Sequence, residues 1–300
     1  MTPIGRKLIE TAAEVSGGGP EAVLYQHTVL CQTVLPYRDP GDGVRTWEQR
    51  NGEVGLQVNA GSVWHPSTCE FVPVGLPFGP KPRLILACLN AEAIRSRSRV
   101  IAVGDSLTGF VQRLGLATHG RNVRAIKDQL ARLAAASMRL GVAREGRSVT
   151  INSQIVGAFD LWCEKDGRQR ALWPATVKLS EDYFDSLMCH AVPLDERALA
   201  ALSHSAMALD VYAWLAQRLN RIVVPKRRVF ISWPALQAQF GGGYDRVRDF
   251  RRVFLQALRQ VLSQYRGARL EVDEQGMTLW ASPPPVRGRT AVINQLERGG

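Results

Sequence analysis

Arg246, Arg248, Arg251, Arg252 and Arg259 crowd one segment late in the chain, with Asp245 and Asp249 its only acidic residues. A guanidinium grips a phosphate, or the O6/N7 edge of guanine, with two parallel hydrogen bonds. Val247, Phe250, Phe254, Leu258 and Val261 recur through the same stretch at helical spacing. At about 100° per residue, Arg248, Arg252, Gln256 and Arg259 gather opposite that apolar stripe, and Arg246 and Arg251 flank it. An earlier segment repeats the pattern more weakly: Val123, Ile126, Leu130 and Leu133 share one arc, Arg121, Arg124, Asp128 and Arg132 face away, and Lys127 sits at the edge. Beyond it, Arg144 and Arg147 bracket a glycine in REGR. Such residues recognise a polyanion; they do not make or break bonds.

Residues for catalysis are missing by comparison. There is no G-x-x-x-x-G-K-[ST] phosphate loop, no G-x-S-x-G elbow, no His-x-His and no cluster of carboxylates, so neither an enzyme nor a cofactor is expected. Gly241–Gly243 has no Lys-Ser/Thr after it and reads as a turn. Cys31, Cys69, Cys88, Cys163 and Cys189 are odd in number and scattered without a C-x-x-C pair, which fits reduced thiols in a cytosol and no zinc site. The 300 residues hold 38 Lys and Arg against 27 acidic residues, a formal charge of +11. That balance favours a nucleic acid or an anionic membrane surface. No run approaches the ~20 apolar residues of a membrane span, and residues 1–19 lack a signal peptide's apolar core. A cytoplasmic protein without a membrane partner is the expectation.

A single charged helix face is ordinarily just solvated surface, so the elements around the two arginine segments decide their meaning. Before the first lie a helix at 82–93, a strand RVIAV, a short helix Leu107–Leu114 ended by Gly115, and a polar turn; the long helix then runs from about Val123 to Ser137. Two strands follow, SMRLGVA and SVTINSQIVG, with Arg144–Arg147 at their tip. The second copy has a helix Ala206–Leu219, a strand RVFIS and a short helix Pro234–Phe240, with proline where a first-turn N–H is not needed. A triple-glycine turn, a long helix from Asp245 to about Tyr265 and strands ARLEV and MTLWA around an acidic DEQG tip complete it. Helix, short strand, short helix, turn, long helix and hairpin is the order of a winged helix-turn-helix, whose long helix enters the major groove. The expected fold is therefore α+β, two tandem winged helix-turn-helix domains. The alternative is an α+β domain whose elements happen to recur in this order. The expected boundaries are a partly ordered N-terminal region 1–44, winged-helix domains at 45–160 (with extra strands in front) and 161–282, and a disordered basic tail 283–300. Trp162, Trp173, Tyr183 and Phe184 enrich the junction and favour a core role over a partner surface.

Particular stretches also resemble a known family. FDLW at 159–162 with RALWP at 170–174, VKLSEDYF at 177–184, HAVPLDE at 190–196, LSHSAMALDVYAWLAQRL at 202–219 and RVRDFRRVFLQALRQV at 246–261 are similar to the plasmid-encoded RepA replication initiators. LPYRDP at 35–40 and GLPFGPKPRL at 75–84 fit too, so the resemblance spans roughly residues 24–285. It implies a protein that binds repeated sites in double-stranded plasmid-origin DNA, helps open adjacent DNA, and brings in host replication initiator or helicase proteins. Many such initiators repress their own gene, and monomer and homodimer are both compatible with the sequence. A winged-helix transcriptional regulator without an initiation role is the alternative. A rolling-circle nicking enzyme would need a tyrosine nucleophile and a metal-binding His pair.

Overall fold

The computed structural model describes residues 2–19, 22–65, 68–102, 111–112, 114–144, 147–153, 155–159, 176–222 and 228–286. The chain forms two compact units. A mid-chain unit is Leu35–Met188, and a terminal unit joins Met1–Val34 to Cys189–Gly300.

In the mid-chain unit, β2 (Thr46–Asn51), β3 (Val54–Asn59), β7 (Ser137–Arg144) and β8 (Arg147–Ser153) form an antiparallel sheet in the order β2-β3-β7-β8. Along β3 burial alternates residue by residue, turning Val54, Leu56 and Val58 inward, as a half-buried strand requires. The hairpin of β4 (Ser62–His65) and β5 (Glu70–Pro73) follows β3 in sequence. Helix α2 (Pro80–Ser96) is buried on nearly every side from Pro82 to Asn90. Arg83 lies within it and is held by backbone carbonyls: Nη1 donates to that of Gly79 at 2.6 Å and Nη2 to that of Leu35 at 2.8 Å. Its guanidinium also covers the Tyr37 ring. Helix α3 (Gly120–Ala135) buries Ile126, Leu130 and Leu133, a spacing of i, i+4, i+7 that makes one helix face.

Strand β6 (Val100–Ala102) does not pair with the β7–β8 hairpin. It pairs with β10 (Thr176–Leu179), which in turn pairs with β9 (Val156–Phe159). This corrects the expectation that the hairpin with Arg144–Arg147 at its tip is the wing. β7 and β8 instead extend the sheet that β3 begins, and the strand before the helix-turn-helix is completed by β9 and β10. The short helix expected at 107–114, and Trp162 and Trp173, lie largely or wholly outside the described residues. Helix α4 (Glu181–His190) closes this part of the chain, with Tyr183 fully buried and donating from its hydroxyl to Asn90 at 3.0 Å, while Phe184 is half-buried.

The terminal unit shows why the chain does not divide at 44/45 and 160/161. Residues 3–17 form α1 (Pro3–Gly17), capped by the Thr2 hydroxyl, and β1 (Val23–His27) pairs along its length with β11 (Ala191–Asp195). Helix α1 packs on α5 (Glu196–Leu202) and on α8 (Val247–Gln264). Arg197 ties these parts together: it chelates the buried Asp195 carboxylate at 2.7 and 3.1 Å and donates to the carbonyls of Glu14 and Gly18. The N-terminal segment is thus an ordered layer of the distant C-terminal fold. At the other end Val286 is buried and the Tyr265 hydroxyl donates to the carbonyl of the exposed Pro283, which ties the first residues of the expected tail to the fold; residues 287–300 lie outside the described residues.

The rest of this unit is a winged helix in which strand order follows the expected sequence closely. α6 (Ala206–Asn220) is buried almost all round and runs through the core. β12 (Arg228–Ser232) leads into α7 (Trp233–Phe240), whose first turn is capped by the Ser232 hydroxyl. After α8 come β13 (Leu270–Val272) and β14 (Gly276–Trp280), and the sheet order is β12-β14-β13. The core is aromatic: Phe254 lies 5.3 Å from Phe250, 5.6 Å from Phe240 and 6.0 Å from Trp233, ring centre to ring centre. Both units are therefore α+β winged helices.

One buried group is expected to make this unit acid-sensitive. His27 is 1% exposed, and its Nδ1 accepts the Val29 N–H at 3.2 Å, which requires that nitrogen to be unprotonated. Burial first, and then the nearby His190, push its pKa from 6.5 down to about 3. An unfolded chain takes up that proton below pH 6.5 while the folded chain refuses it until about pH 3, so stability is full above pH 6.5 and is lost as pH falls. Urea denaturation is expected to show a loss of about 1.4 kcal/mol per pH unit in that window from this group. His27→Gln should flatten the dependence; an unchanged slope would assign the acid sensitivity elsewhere.

Candidate nucleic-acid interface

The strongest basic surface lies on α8. Phe250, Phe254, Leu258 and Val261 anchor one face in the core, and Arg248, Arg252, Gln256 and Arg259 are exposed on the other. Arg246 is the exposed N-cap residue, with the helical amides of Asp249 and Phe250 donating to its carbonyl. The turn before it needs its glycines. A Cβ on Gly241 would sit 2.6 Å from the Gln237 carbonyl oxygen, and Gly243 has φ +96°. Gln237 then ties the turn by donating to the Tyr244 carbonyl at 2.7 Å. This geometry delivers α8 from α7 as the second helix of a helix-turn-helix, and aims its arginines away from the core.

Arg251 differs from its neighbours. It is half-buried, stands 4.9 Å over the Trp233 indole and donates to the Asp273 carbonyl at 3.1 Å. The wing turn itself is acidic and internally braced, with the Asp273 carboxylate accepting from the amides of Gln275 and Gly276 at 2.7 and 2.8 Å. Glu271 and Glu274 are exposed beside it.

On α3, Arg121 and Arg124 are exposed and line an open depression of about 730 Å³ with Gly120, Ala125 and Asp128; Lys127 is half-buried. Arg132 is withdrawn from this face. Its side chain is 13% exposed, pairs with Asp128 at 3.1 Å and Asp39 at 3.7 Å, donates to the Leu76 carbonyl and stacks over Phe78. The helical projection placed Arg132 with Arg121 and Arg124, and Asp39, Leu76 and Phe78 claim it instead. Arg144 and Arg147 stand opposite each other in register at the end of β7–β8. Two exposed cations escaped the helical reading because they follow α8 in a loop: Arg266 and Arg269, in RGAR.

Comparison with known proteins decides what these units belong to. The family model for plasmid encoded RepA protein, RepA_C, matches residues 76–234, just over half of the chain. The chain belongs to the RepA family of plasmid replication initiators. That match takes in most of the mid-chain winged helix, together with α6, β12 and the start of α7 in the terminal unit. Among solved structures, domains 2 and 3 of RctB as SeMet derivatives align with TM-score 0.53 and 10% identity, over 84% of this RepA-family chain and 95% of that one. A second crystal structure of RctB domains 2-3 aligns with TM-score 0.51 and 10% identity, over 90% and 99%. At that identity the likeness is one of fold, and it supports the winged-helix architecture of both units. No curated protein matches the sequence. Among the described residues no helix is long and apolar enough to cross a membrane, and no group of three or more His, Cys, Asp and Glu is placed to hold a metal ion.

Proposed function

We propose that this RepA-family chain binds double-stranded DNA at a plasmid origin through its two winged helices, and that this binding starts replication. The observation that carries the reading is the exposed row Arg248, Arg252 and Arg259 on the recognition helix of the terminal unit. With Arg246 at the helix start, these residues supply forked donors suited to guanine edges and phosphates. Arg121, Arg124 and Lys127 on α3 serve a second half of the site, and the Arg144–Arg147 hairpin end adds phosphate contact. Two reading heads in one chain suit repeated or extended origin sequences. Opening of adjacent DNA and recruitment of host replication proteins follow in this reading from the initiator family, not from any residue described above.

Footprinting over the plasmid DNA that adjoins the gene tests the binding step. Protection of discrete sites at low salt, fading steeply as salt rises, is the expected result. A plasmid carrying only this gene and the protected segment is expected to replicate. No protection at low salt would refute the reading, and protection without replication would leave a transcriptional regulator.

A further inference from the structure

We propose that Arg251 positions the wing of the terminal unit against the recognition helix and makes no contact with DNA. The proposal rests on α8 being the recognition helix, and it separates Arg251 from the arginines on either side of it.

One backbone carbonyl is the focus of the arrangement. The oxygen of Asp273, at the start of the β13–β14 turn, accepts from Arg251 Nη2 on α8 and from Trp233 Nε1 on α7, each at 3.1 Å. A carbonyl has two lone pairs, so both helices of the helix-turn-helix hold the same point on the wing. Trp233 adds a third tie, its backbone N–H donating to the Gln275 carbonyl at 3.0 Å. The indole is 3% exposed and is itself seated edge-on against Phe254, in the core of the unit. Arg251 then lies over the indole, 4.9 Å from the ring centre. Trp233 thus links the Phe254 core cluster to Arg251 and to the wing.

The turn does not need Arg251 for its shape. The Asp273 carboxylate already accepts two amides of the turn, and the Asp273 amide donates to Gly276. What Arg251 supplies is placement of a preformed turn. Placement matters because this wing is acidic: Glu271 and Glu274 are exposed on it, and a wing free to swing toward phosphates would repel them. Only arginine meets both demands at once, a flat cation lying on the indole and a forked donor reaching the carbonyl. Lysine keeps the charge but cannot do both.

Two variants of the full chain test the assignment, Arg251→Lys and Arg251→Gln, with Arg248→Ala as the reference for a direct contact. Each is titrated with origin duplex across a range of salt. Both Arg251 variants are expected to weaken binding by roughly five- to thirtyfold, the loss of one stacked, hydrogen-bonded cation. The slope of log affinity against log salt should stay as in the unaltered protein, whereas loss of a direct phosphate contact would lower it by about 0.9. In the DNA-free protein, hydrogen exchange at the Trp233 indole N–H should accelerate in both Arg251 variants. Arg251→Lys binding as the unaltered chain does, or Arg251→Gln lowering the salt slope by about 0.9, would overturn the proposal in favour of a phosphate contact. Unchanged indole exchange would overturn it independently of DNA. If the unaltered protein itself fails to bind duplex DNA, the proposed function falls, while the exchange measurement still decides what Arg251 holds.

Discussion

Changing Arg248 and Arg252 together to alanine is expected to cost about 2–6 kcal/mol in affinity for the origin duplex, at about 1–3 kcal/mol for each lost base contact. The two residues are four apart on the exposed face of α8, so they meet the same stretch of groove one helical turn apart. Neither is needed to hold the unit together: the stripe that anchors the helix is Phe250, Phe254, Leu258 and Val261, on the opposite side. Exposed substitutions of this kind change stability by about 0.5 kcal/mol or less, so circular dichroism and thermal melting should be unaltered while binding collapses. If the pair grips phosphate instead of bases, the loss falls equally on all sequences and the salt slope drops by about 1.8. Titration of specific and unrelated duplexes at several salt concentrations separates the two cases. Affinity and slope both unchanged would move the interface off α8.

Phe254→Ala is expected to destabilise the terminal unit by about 3–5 kcal/mol. Phe254 is fully buried, and its ring meets Phe240 of α7, Phe250 one turn before it on α8, and Trp233 beneath the wing. Truncation removes the group on which the two helices and the wing converge, and the surrounding rings are too large to collapse into the space. With total stabilities of about 5–15 kcal/mol for a domain, such a loss brings the unit close to unfolding at physiological temperature. Because the chain has two compact units, unfolding should be followed by probes that report on each separately. The mid-chain melt is expected to stay in place while the terminal one shifts. A loss below about 1 kcal/mol would show that this cluster can repack, contrary to its geometry.

The two units were unequally legible. In the terminal unit, the strand expected at RVFIS coincides with β12, and the short helix expected at 234–240 begins one residue earlier because Ser232 caps it. The long helix expected from Asp245 to about Tyr265 is Val247–Gln264. Each of these signals is local: a hydroxyl before a helix, a proline in its first turn, glycines at the turn, an apolar stripe with a helical period. In the mid-chain unit the helix expected from about Val123 begins at Gly120, SMRLGVA is a strand of the β2-β3 sheet, and the expected strand SVTINSQIVG divides between β8 of that sheet and β9 of the β6 sheet. Nothing in the residues of β7 or β8 says which neighbour they will find. Their backbone groups are equally satisfied by β3 or by β6, and the choice is made by how the earlier strands pack.

The arginines show the same division. Charge and helical spacing alone marked Arg248, Arg252 and Arg259 as an outward face, since the apolar stripe opposite them had to be buried. The same reasoning placed Arg132 beside Arg121 and Arg124, yet Asp39, the Leu76 carbonyl and Phe78 enclose it. It grouped Arg251 with the binding residues as well, while a carbonyl twenty-two residues away and the Trp233 ring hold it.

By itself, then, the sequence determined the order of elements in the terminal unit, the winged-helix class and the identity of the most basic helix, because a segment's own periodicity and end residues specify them. Only the tertiary structure decided which strands complete the mid-chain sheet, that the N-terminal helix belongs with the C-terminal fold, and which cations are enclosed and which exposed. Those outcomes depend on pairings such as β1 with β11 and Arg251 with Asp273. Residues far apart in the chain meet there only after it has folded, and no local pattern encodes the meeting.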